Sequence, residues 1–200
     1  MTLINPPAVL EITLPREGMA LDEFLRRQDE QPFELIDGEE ILIMTPKMFG
    51  SDYDAHFVQR ILERATQGDV FIEATFILPD TLDSNWVKGS RQPDIMYLAE
   101  GRLAAYRAAH PDWRIKPLML VPDLAVEIVS PTDRLPKVWR KAIVYLEDGV
   151  RLVWVINPMR QMVTIFAQDE APVTLYAADT LNGGDVLPGF SLALNTLFEA

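Results

Sequence analysis

Short apolar runs separated by turn residues predict most of the strands in this chain. The clearest run, Leu124–Val129, contains one polar residue, Glu127, and is typical of a buried central strand. A second run, Leu152–Ile156, is wholly apolar. Two β-rich runs on either side of Asp37-Gly38 predict a hairpin. Further strands are predicted over 70–78, 94–98, 162–167 and 173–177.

Apolar residues spaced three and four positions apart predict the helices. One helix is predicted over 51–67, with Ser51 as its N-cap. Thr132 or Asp133 is expected to cap a second long helix, which tolerates Pro136 in its first turn and ends near Asp148. Shorter helices are predicted over 19–29 and 100–109, a loop over 79–92, a turn-rich stretch over 182–190, and a short strand or helix over 192–198.

The order strand, helix, strand over 124–156 predicts a βαβ unit with two adjacent parallel strands. Hairpins before and after this unit make the sheet mixed. We therefore predict an α/β or α+β fold, in which helices flank one mixed central sheet between an N-terminal hairpin and a C-terminal β-meander. Residues 1–18 are expected to be a lead-in and 19–200 a single domain, because 200 residues suit one domain.

Composition excludes several classes of protein. Cysteine is absent, which excludes disulfides, thiolate metal sites and a cysteine nucleophile. No apolar run approaches the roughly eighteen residues that a membrane helix needs. The first residues lack the basic and apolar regions of a secretory signal. The sequence therefore predicts a cytoplasmic protein that does not bind a membrane.

The net charge of −12 argues at first against a nucleic-acid partner, because Lys and Arg drive phosphate binding. The distribution of charge matters more. Residues 88–141 contain ten Lys or Arg and six Asp or Glu, a balance of +4, whereas the rest of the chain carries −16. A locally basic face on an acidic protein is therefore expected, unless these charges are only solvated surface groups.

Two carboxylates lie within predicted strands in this basic segment. Asp94 follows a proline at the start of one strand, and Glu127 lies in the middle of another. A carboxylate is rarely buried unless it is paired or binds a metal, so the two predict a metal site on the sheet. Mg²⁺ prefers oxygen ligands of this kind. Lys137 and Lys141 follow on one face of the next helix, where an ammonium could assist phosphodiester hydrolysis.

An ordered series of motifs extends over residues 19–198. It resembles the PD-(D/E)XK nuclease superfamily, and more closely the branch of that superfamily described as putative restriction endonucleases, a domain of unknown function. The motifs are Phe33–Glu39, Thr45-Pro46, His56, Arg91–Ile95, Pro122–Asp133, Lys141–Val150, Val153–Pro158 and Val186–Phe190.

The resemblance implies a restriction-endonuclease-like core and hydrolysis of DNA phosphodiester bonds that depends on Mg²⁺, with Mn²⁺ as the alternative ion. It implies that Asp94 and Glu127 are metal ligands, with the backbone carbonyl of Ile128 nearby. Glu34 matches an acid that some members place near the metal. The partners would be DNA and a second copy of the chain, because a homodimer is natural for cutting both strands of a duplex.

Two positions depart from the family pattern. Val129 stands where the superfamily has a lysine, so the role of that lysine would fall to Lys141. Asn157 stands where the branch often has Asp. The departure at Val129 and the net charge support an alternative function, a non-catalytic nucleic-acid- or protein-binding module that retains the nuclease fold. Hydrolysis of a different phosphate ester is a third hypothesis.

The candidate residues also have structural interpretations. Glu127 could form a buried ion pair with Arg91 or Lys141. His56 could be a packed or capping histidine, and Tyr145 could be a core residue. The position of Lys141 discriminates between catalysis and the binding module. Catalysis requires its ammonium to lie within several ångströms of both the Asp94 and the Glu127 carboxylate, whereas a lysine that faces the solvent would favour the module.

Overall fold

The computed structural model of the protein describes residues 17–43, 49–83 and 85–199. Two features of the sequence lie outside these ranges. They are nearly all of the predicted lead-in, 1–18, and the Thr45-Pro46 motif.

The helices predicted from apolar periodicity are confirmed, but their starting points differ from the predicted ones. Met19 and Ala20, predicted to begin the first helix, form a short strand instead. α2 already includes Phe49, so Ser51 lies inside the helix and is not its N-cap. α4 has Arg134 at its N-cap position, while Asp133 accepts a hydrogen bond from the Ser130 N–H within the preceding turn. The helices of the described residues are α1 Leu21–Glu30, α2 Phe49–Ala65, α3 Arg102–Ala109, α4 Leu135–Glu147 and α5 Leu194–Phe198. None of them is long and apolar enough to cross a membrane.

The strands of the described residues form one large sheet and three smaller ones. In chain order they are β1 Met19–Ala20, β2 Phe33–Ile36, β3 Glu39–Leu42, β4 Asp69–Ile72, β5 Phe76–Ile77, β6 Leu82–Asp83, β7 Trp86–Val87, β8 Ser90–Arg91, β9 Ile95–Leu98, β10 Leu124–Ile128, β11 Leu152–Asn157, β12 Met162–Ala167, β13 Val173–Tyr176, β14 Thr180–Gly183 and β15 Leu187–Ala193.

The central sheet has the order β13-β12-β11-β10-β9-β4. Strands β10 and β11 are parallel and connected by α4, so the predicted βαβ unit is confirmed. The other neighbours in this sheet are antiparallel, which makes it mixed, and β11 to β13 form the predicted meander. The predicted hairpin is β2–β3, whose turn residues Asp37 and Gly38 both have positive φ, as a tight two-residue hairpin requires.

Three predictions about the remaining segments were wrong in detail. The run 70–78 is two strands, because Glu73, at φ 51°, interrupts it and directs β5 into the smaller sheet β3-β2-β8-β5. The predicted loop 79–92 contains the two-residue strands β6, β7 and β8, which are too short to show a period. The turn-rich stretch 182–190 lies within the hairpin β14–β15.

The alternation of side chains along β10 sorts them onto the two faces of the central sheet. Leu124, Val126 and Ile128 join the apolar cluster formed with α2, α5 and the hairpin β14–β15. Ala125 and Val129 join the cluster formed with α4. Glu127 belongs to this second set by alternation, so its carboxylate is buried beneath α4.

A buried ion pair fastens the end of α4 to the smaller sheet. Arg91 Nε lies 2.6 Å from Asp148 Oδ2, and Arg91 Nη2 donates to Asp148 Oδ1 at 3.1 Å. Arg91 also donates to the backbone carbonyls of Leu35 and Ser90. This side chain therefore links β2, β8 and the residue that follows α4, the elements around the candidate site.

We expect Arg91→Met to lower the free energy of unfolding by about 3–5 kcal/mol, because it leaves Asp148 without its buried partner. Arg26→Met is the matched control, since its ion pair with Glu30 is more than half exposed and should contribute about 0–0.5 kcal/mol. Urea unfolding of the two variants and the wild type measures the difference. Equal effects of the two substitutions would show that the Arg91 pair does not fasten the fold.

Candidate active site

Lys141 and Tyr145 of α4 both contact the buried carboxylate of Glu127. Lys141 Nζ lies 2.9 Å from Glu127 Oε1, and the Tyr145 hydroxyl donates to the same oxygen at 2.7 Å. The two residues are four positions apart, so they share one face of the helix. Glu127 is 7% exposed and Tyr145 is fully buried. The side chains that partner Glu127 therefore come from the helix that follows its own strand.

Glu34 of β2 joins this group from the smaller sheet. Its neighbours Phe33 and Leu35 point into the cluster around Phe24, so by alternation Glu34 points the other way. Its Oε1 accepts a hydrogen bond from the Gln92 N–H at 2.8 Å, and lies 3.3 Å from both Lys141 Nζ and the Tyr145 hydroxyl. One oxygen atom of Glu34 thus meets three donors.

Asp94 lies where strand β9 begins beside β10. The last paired residues of these strands are Ile95 and Val126, and β10 continues beyond them to Ile128. The Ile128 N–H donates to Asp94 Oδ2 at 2.6 Å. The Asp94 carboxylate is therefore the acceptor at a position where β9 no longer pairs with β10. The N–H and C=O of one strand residue point to the same side, so the Ile128 carbonyl also points to this edge. Asp94 is half-buried, which opens this edge to solvent.

Burial and charge determine the protonation of the group. Burial raises the pKa of Glu127 to about 7, against the opposing charge of Lys141, and the charges of Asp94 and Glu34 raise it further. Burial would lower the pKa of Lys141, but the three carboxylates outweigh it and raise that pKa above its usual value. Burial and the same carboxylates hold the pKa of Tyr145 well above its usual value. Lys141 therefore stays charged, and Tyr145 stays a neutral donor.

The donor atoms at this edge are of the kind that a hard cation binds. Within 17–43, 49–83 and 85–199, no three Asp, Glu, His or Cys side chains are grouped to hold a metal ion. Asp94, Glu127 and the Ile128 carbonyl offer two carboxylates and a backbone oxygen, which fits Mg²⁺ because that ion keeps several waters and needs few protein ligands. With its carboxylates ionised, the group has three negative charges and one positive charge, which also favours a cation.

Three residues considered from the sequence have other roles in the fold. Arg91 pairs with Asp148 and not with Glu127. His56 Nδ1 lies 2.9 Å from the Asp52 carbonyl oxygen within α2, a helix that covers the opposite face of the sheet. Val129 is buried in the cluster beneath α4, so the position where the superfamily has lysine is filled by an apolar core residue.

A second buried acid shows what a structural carboxylate looks like in this fold. Asp123 precedes β10 at the opposite edge of the sheet, and its Oδ2 accepts from the Ala99 N–H at 2.8 Å and from Arg102 Nη1 at 2.7 Å. Its partners are a backbone amide and two arginines, because Arg151 Nη1 lies 3.7 Å from its Oδ1. Glu127 differs because two further carboxylates lie near it.

Two contributors to the site were missed at the level of sequence. Tyr145 was interpreted as a core residue, which is correct for its ring but not for its hydroxyl. A buried tyrosine hydroxyl usually finds a partner, and its position four residues after Lys141 was the signal that could have identified it. The backbone of Gln92, which donates to Glu34 and accepts from Lys141 Nζ at 3.4 Å, carries no such signal.

The fold and the family of this chain agree with each other. The fold is similar to that of a crystal structure described as a putative nuclease belonging to DUF820 from Anabaena variabilis, with a TM-score of 0.69 and 20% identity over 90% of this chain and 98% of that one. The two proteins therefore share their fold. The chain belongs to the Uma2 family, described as "Putative restriction endonuclease", whose model matches residues 21–195. No curated protein is significantly similar to it in sequence.

We expect Glu127 to make the stability of the metal-free protein depend on pH. Its pKa is about 7 in the folded chain against an ordinary 4.5, so between these values the folded state holds a proton that the unfolded state releases. The free energy of unfolding should therefore fall as pH rises through this window, by on the order of 2–3 kcal/mol.

The Glu127→Gln variant lacks this titration and is the comparison for the wild type. Urea unfolding in EDTA at about pH 5 and about pH 8 measures the change, with the variant accounting for all other groups. If the two proteins respond to pH in parallel, Glu127 does not titrate in this window.

Proposed function

We propose that this protein is a Mg²⁺-dependent endonuclease that hydrolyses DNA phosphodiester bonds at the site formed by Asp94, Glu127 and Lys141. The observation that carries the proposal is the position of the Lys141 ammonium, which lies 2.9 Å from Glu127 Oε1 and faces the carboxylates instead of the solvent. Lys141 thus brings from α4 the charge that the superfamily lysine would bring at position 129. The family of the chain and its nuclease-like fold support the same class of reaction.

Asp94, Glu127 and the Ile128 carbonyl would hold the ion. A bound Mg²⁺ supplies polarisation of phosphate oxygens and makes water a stronger nucleophile near neutral pH. Glu127 meets the ion most readily in its ionised form, so binding of a cation should lower its raised pKa. Mn²⁺ is expected to substitute because it accepts the same oxygen ligands.

Lys141 acts in this proposal as a fixed positive charge. Because its pKa is raised, it keeps its proton and does not act as a general base. A charged ammonium held at the site can stabilise the negative charge that develops on the phosphate oxygens in the transition state.

Glu34 and Tyr145 position these groups. Glu34 Oε1 is surrounded by three donors, one of which is Lys141 Nζ. We therefore assign Glu34 the role of orienting Lys141, in preference to the metal-ligand role that the family resemblance implies. Tyr145 holds Glu127 Oε1 from the side of α4.

Two further properties belong to the same proposal. A homodimer would bring one site to each strand of a duplex. A monomer, with a single site, would have to cut the two strands in separate encounters. Location in the cytoplasm stays a prediction from composition.

A non-catalytic module remains the competing function, on the strength of Val129 and the net charge of −12. A module without catalysis has no need for a partly buried lysine held between carboxylates, because burying charges requires compensation from the surrounding fold. Activity on small phosphodiesters without activity on DNA would instead support the third hypothesis, another phosphate ester as substrate.

We expect Asp94→Asn and Glu127→Gln to reduce Mg²⁺-dependent cleavage of plasmid DNA to background, because each removes a carboxylate from the ion. Lys141→Met should lower the cleavage rate by about 10²–10³-fold, the usual effect of removing one group that stabilises transition-state charge. Lys116→Met is the matched control, since Lys116 is paired with Asp112 at the exposed surface and should retain wild-type activity.

Circular dichroism of each variant checks that the fold is retained. Cleavage that persists in both carboxylate variants would exclude this site. A wild type that binds DNA but does not cut it with Mg²⁺ or Mn²⁺ would favour the module.

A further inference from the structure

The first half of α4 carries a row of exposed cations beside the proposed active site. Arg134, Lys137 and Arg140 are all exposed, and Lys141 follows them. Residues 134–146 contain these four cations and no acid, in a chain with 30 Asp and Glu against 18 Lys and Arg. This is therefore a local excess of positive charge on an acidic protein.

These three exposed cations have no acidic partner among the described residues, a property that they share with other exposed arginines such as Arg64 and Arg107; what distinguishes them is that they follow one another on one helix. Arg26, Arg27 and Arg102 each form an ion pair with an acid. The nearest acid in sequence, Asp133, accepts a hydrogen bond from the Ser130 N–H instead. The row is thus left available to an anion from outside the chain.

The placement of the row opposes the stability of its own helix. The N-terminal end of a helix carries partial positive charge, and cations there are unfavourable by roughly 0.3–1 kcal/mol each. Arg134 occupies the N-cap position of α4, Lys137 lies in its first turn, and no acid lies in that turn to compensate. Residues that weaken their own helix indicate a function other than stabilising the fold.

The geometry of the helix aligns the row with the active site. Arg134, Lys137 and Lys141 are spaced three and four positions apart, so they share one side of α4. At 1.5 Å per residue, Lys137 and Arg134 lie about 6 Å and about 10 Å from Lys141 along the helix axis. α4 begins near the sheet edge where β10 ends with Glu127 and Ile128, so the row leads outward from that edge.

We propose that Arg134 and Lys137, flanked by Arg140, bind the backbone phosphates of the DNA strand next to the phosphate that is cleaved. The proposal rests on the proposed nuclease function and names the surface that holds its substrate. Because the protein as a whole is acidic and repels DNA, a local cationic row beside the site would also fix where the strand lies.

The test is equilibrium binding of a fluorescein-labelled DNA duplex, followed by fluorescence anisotropy in EDTA so that no cleavage occurs. The double variant Arg134→Ala/Lys137→Ala is compared with the control Arg64→Ala/Arg107→Ala, which removes two exposed arginines from elements at the opposite edge of the sheet. Both variants change the net charge by the same amount, so they differ mainly in the position of the charge; the control also removes the contact of Arg107 with the Trp113 ring.

The slope of log K against log salt should become shallower by about two for the Arg134/Lys137 variant, because each phosphate that the protein no longer neutralises reduces it by about 0.9. The slope should not change for the control. Thermal unfolding should show no loss of stability in the Arg134/Lys137 variant, because the removed charges opposed the helix dipole. Weaker DNA binding with unchanged or higher Tm is the combination that supports the proposal.

Three outcomes would overturn it. Equal slopes for the Arg134/Lys137 variant and the wild type, with DNA cleavage intact, would refute the cationic row and leave the nuclease function standing. Equal losses of affinity in the two variants would show that only net charge matters. A wild type that neither binds nor cuts DNA would refute the row together with the proposed function.

Discussion

Glu127 occupies the fourth position of a five-residue strand whose other side chains are all apolar. A carboxylate there is tolerated only if its charge is met by partners inside the fold. Lys141 and Tyr145 meet it from α4, and Glu34 shares both of these partners from β2. The docking of α4 on the sheet and the approach of the smaller sheet are therefore constrained by a single buried charge.

The elements that converge on Glu127 are fastened at several points around it. The connection from β8 to β9 carries Gln92, whose backbone contacts both Glu34 and Lys141, and then Asp94, which contacts β10. Arg91, just before it, holds the residue after α4. Arg91, Gln92 and Asp94 thus join the two sheets, the helix and the site. A site built on such fixed elements needs little rearrangement to orient its groups, which is the condition for electrostatic catalysis.

Elements that contain long apolar patterns could be predicted from the sequence. Two-residue strands and contacts between residues distant in the chain could not. The strand around Glu127, the βαβ unit and the helix that carries Lys141 follow from apolar runs of sufficient length. The two-residue strands β5 to β8 show no period, and the break at Glu73 depends on a single residue with positive φ. The contact between Glu34 and Tyr145 could not be predicted, because it joins residues 111 positions apart. A helix start such as that of α4 was misplaced because Ser, Thr and Asp serve turns as readily as caps.

α4 carries a cationic row that would attract an anion, and it covers an acidic group that would attract a cation. Lys141 must stay charged among the carboxylates, and on the same side of the helix Arg134 and Lys137 expose charges that the helix end disfavours. A substrate that is anionic along its length and is cleaved with the help of a cation satisfies both requirements. The most direct measurement is anomalous diffraction from crystals soaked in Mn²⁺. We predict an ion bound by Asp94, Glu127 and the Ile128 carbonyl, with Lys141 still contacting Glu127, and no such ion in the Glu127→Gln variant. An ion bound elsewhere, or none at this edge of the sheet, would contradict the proposed active site.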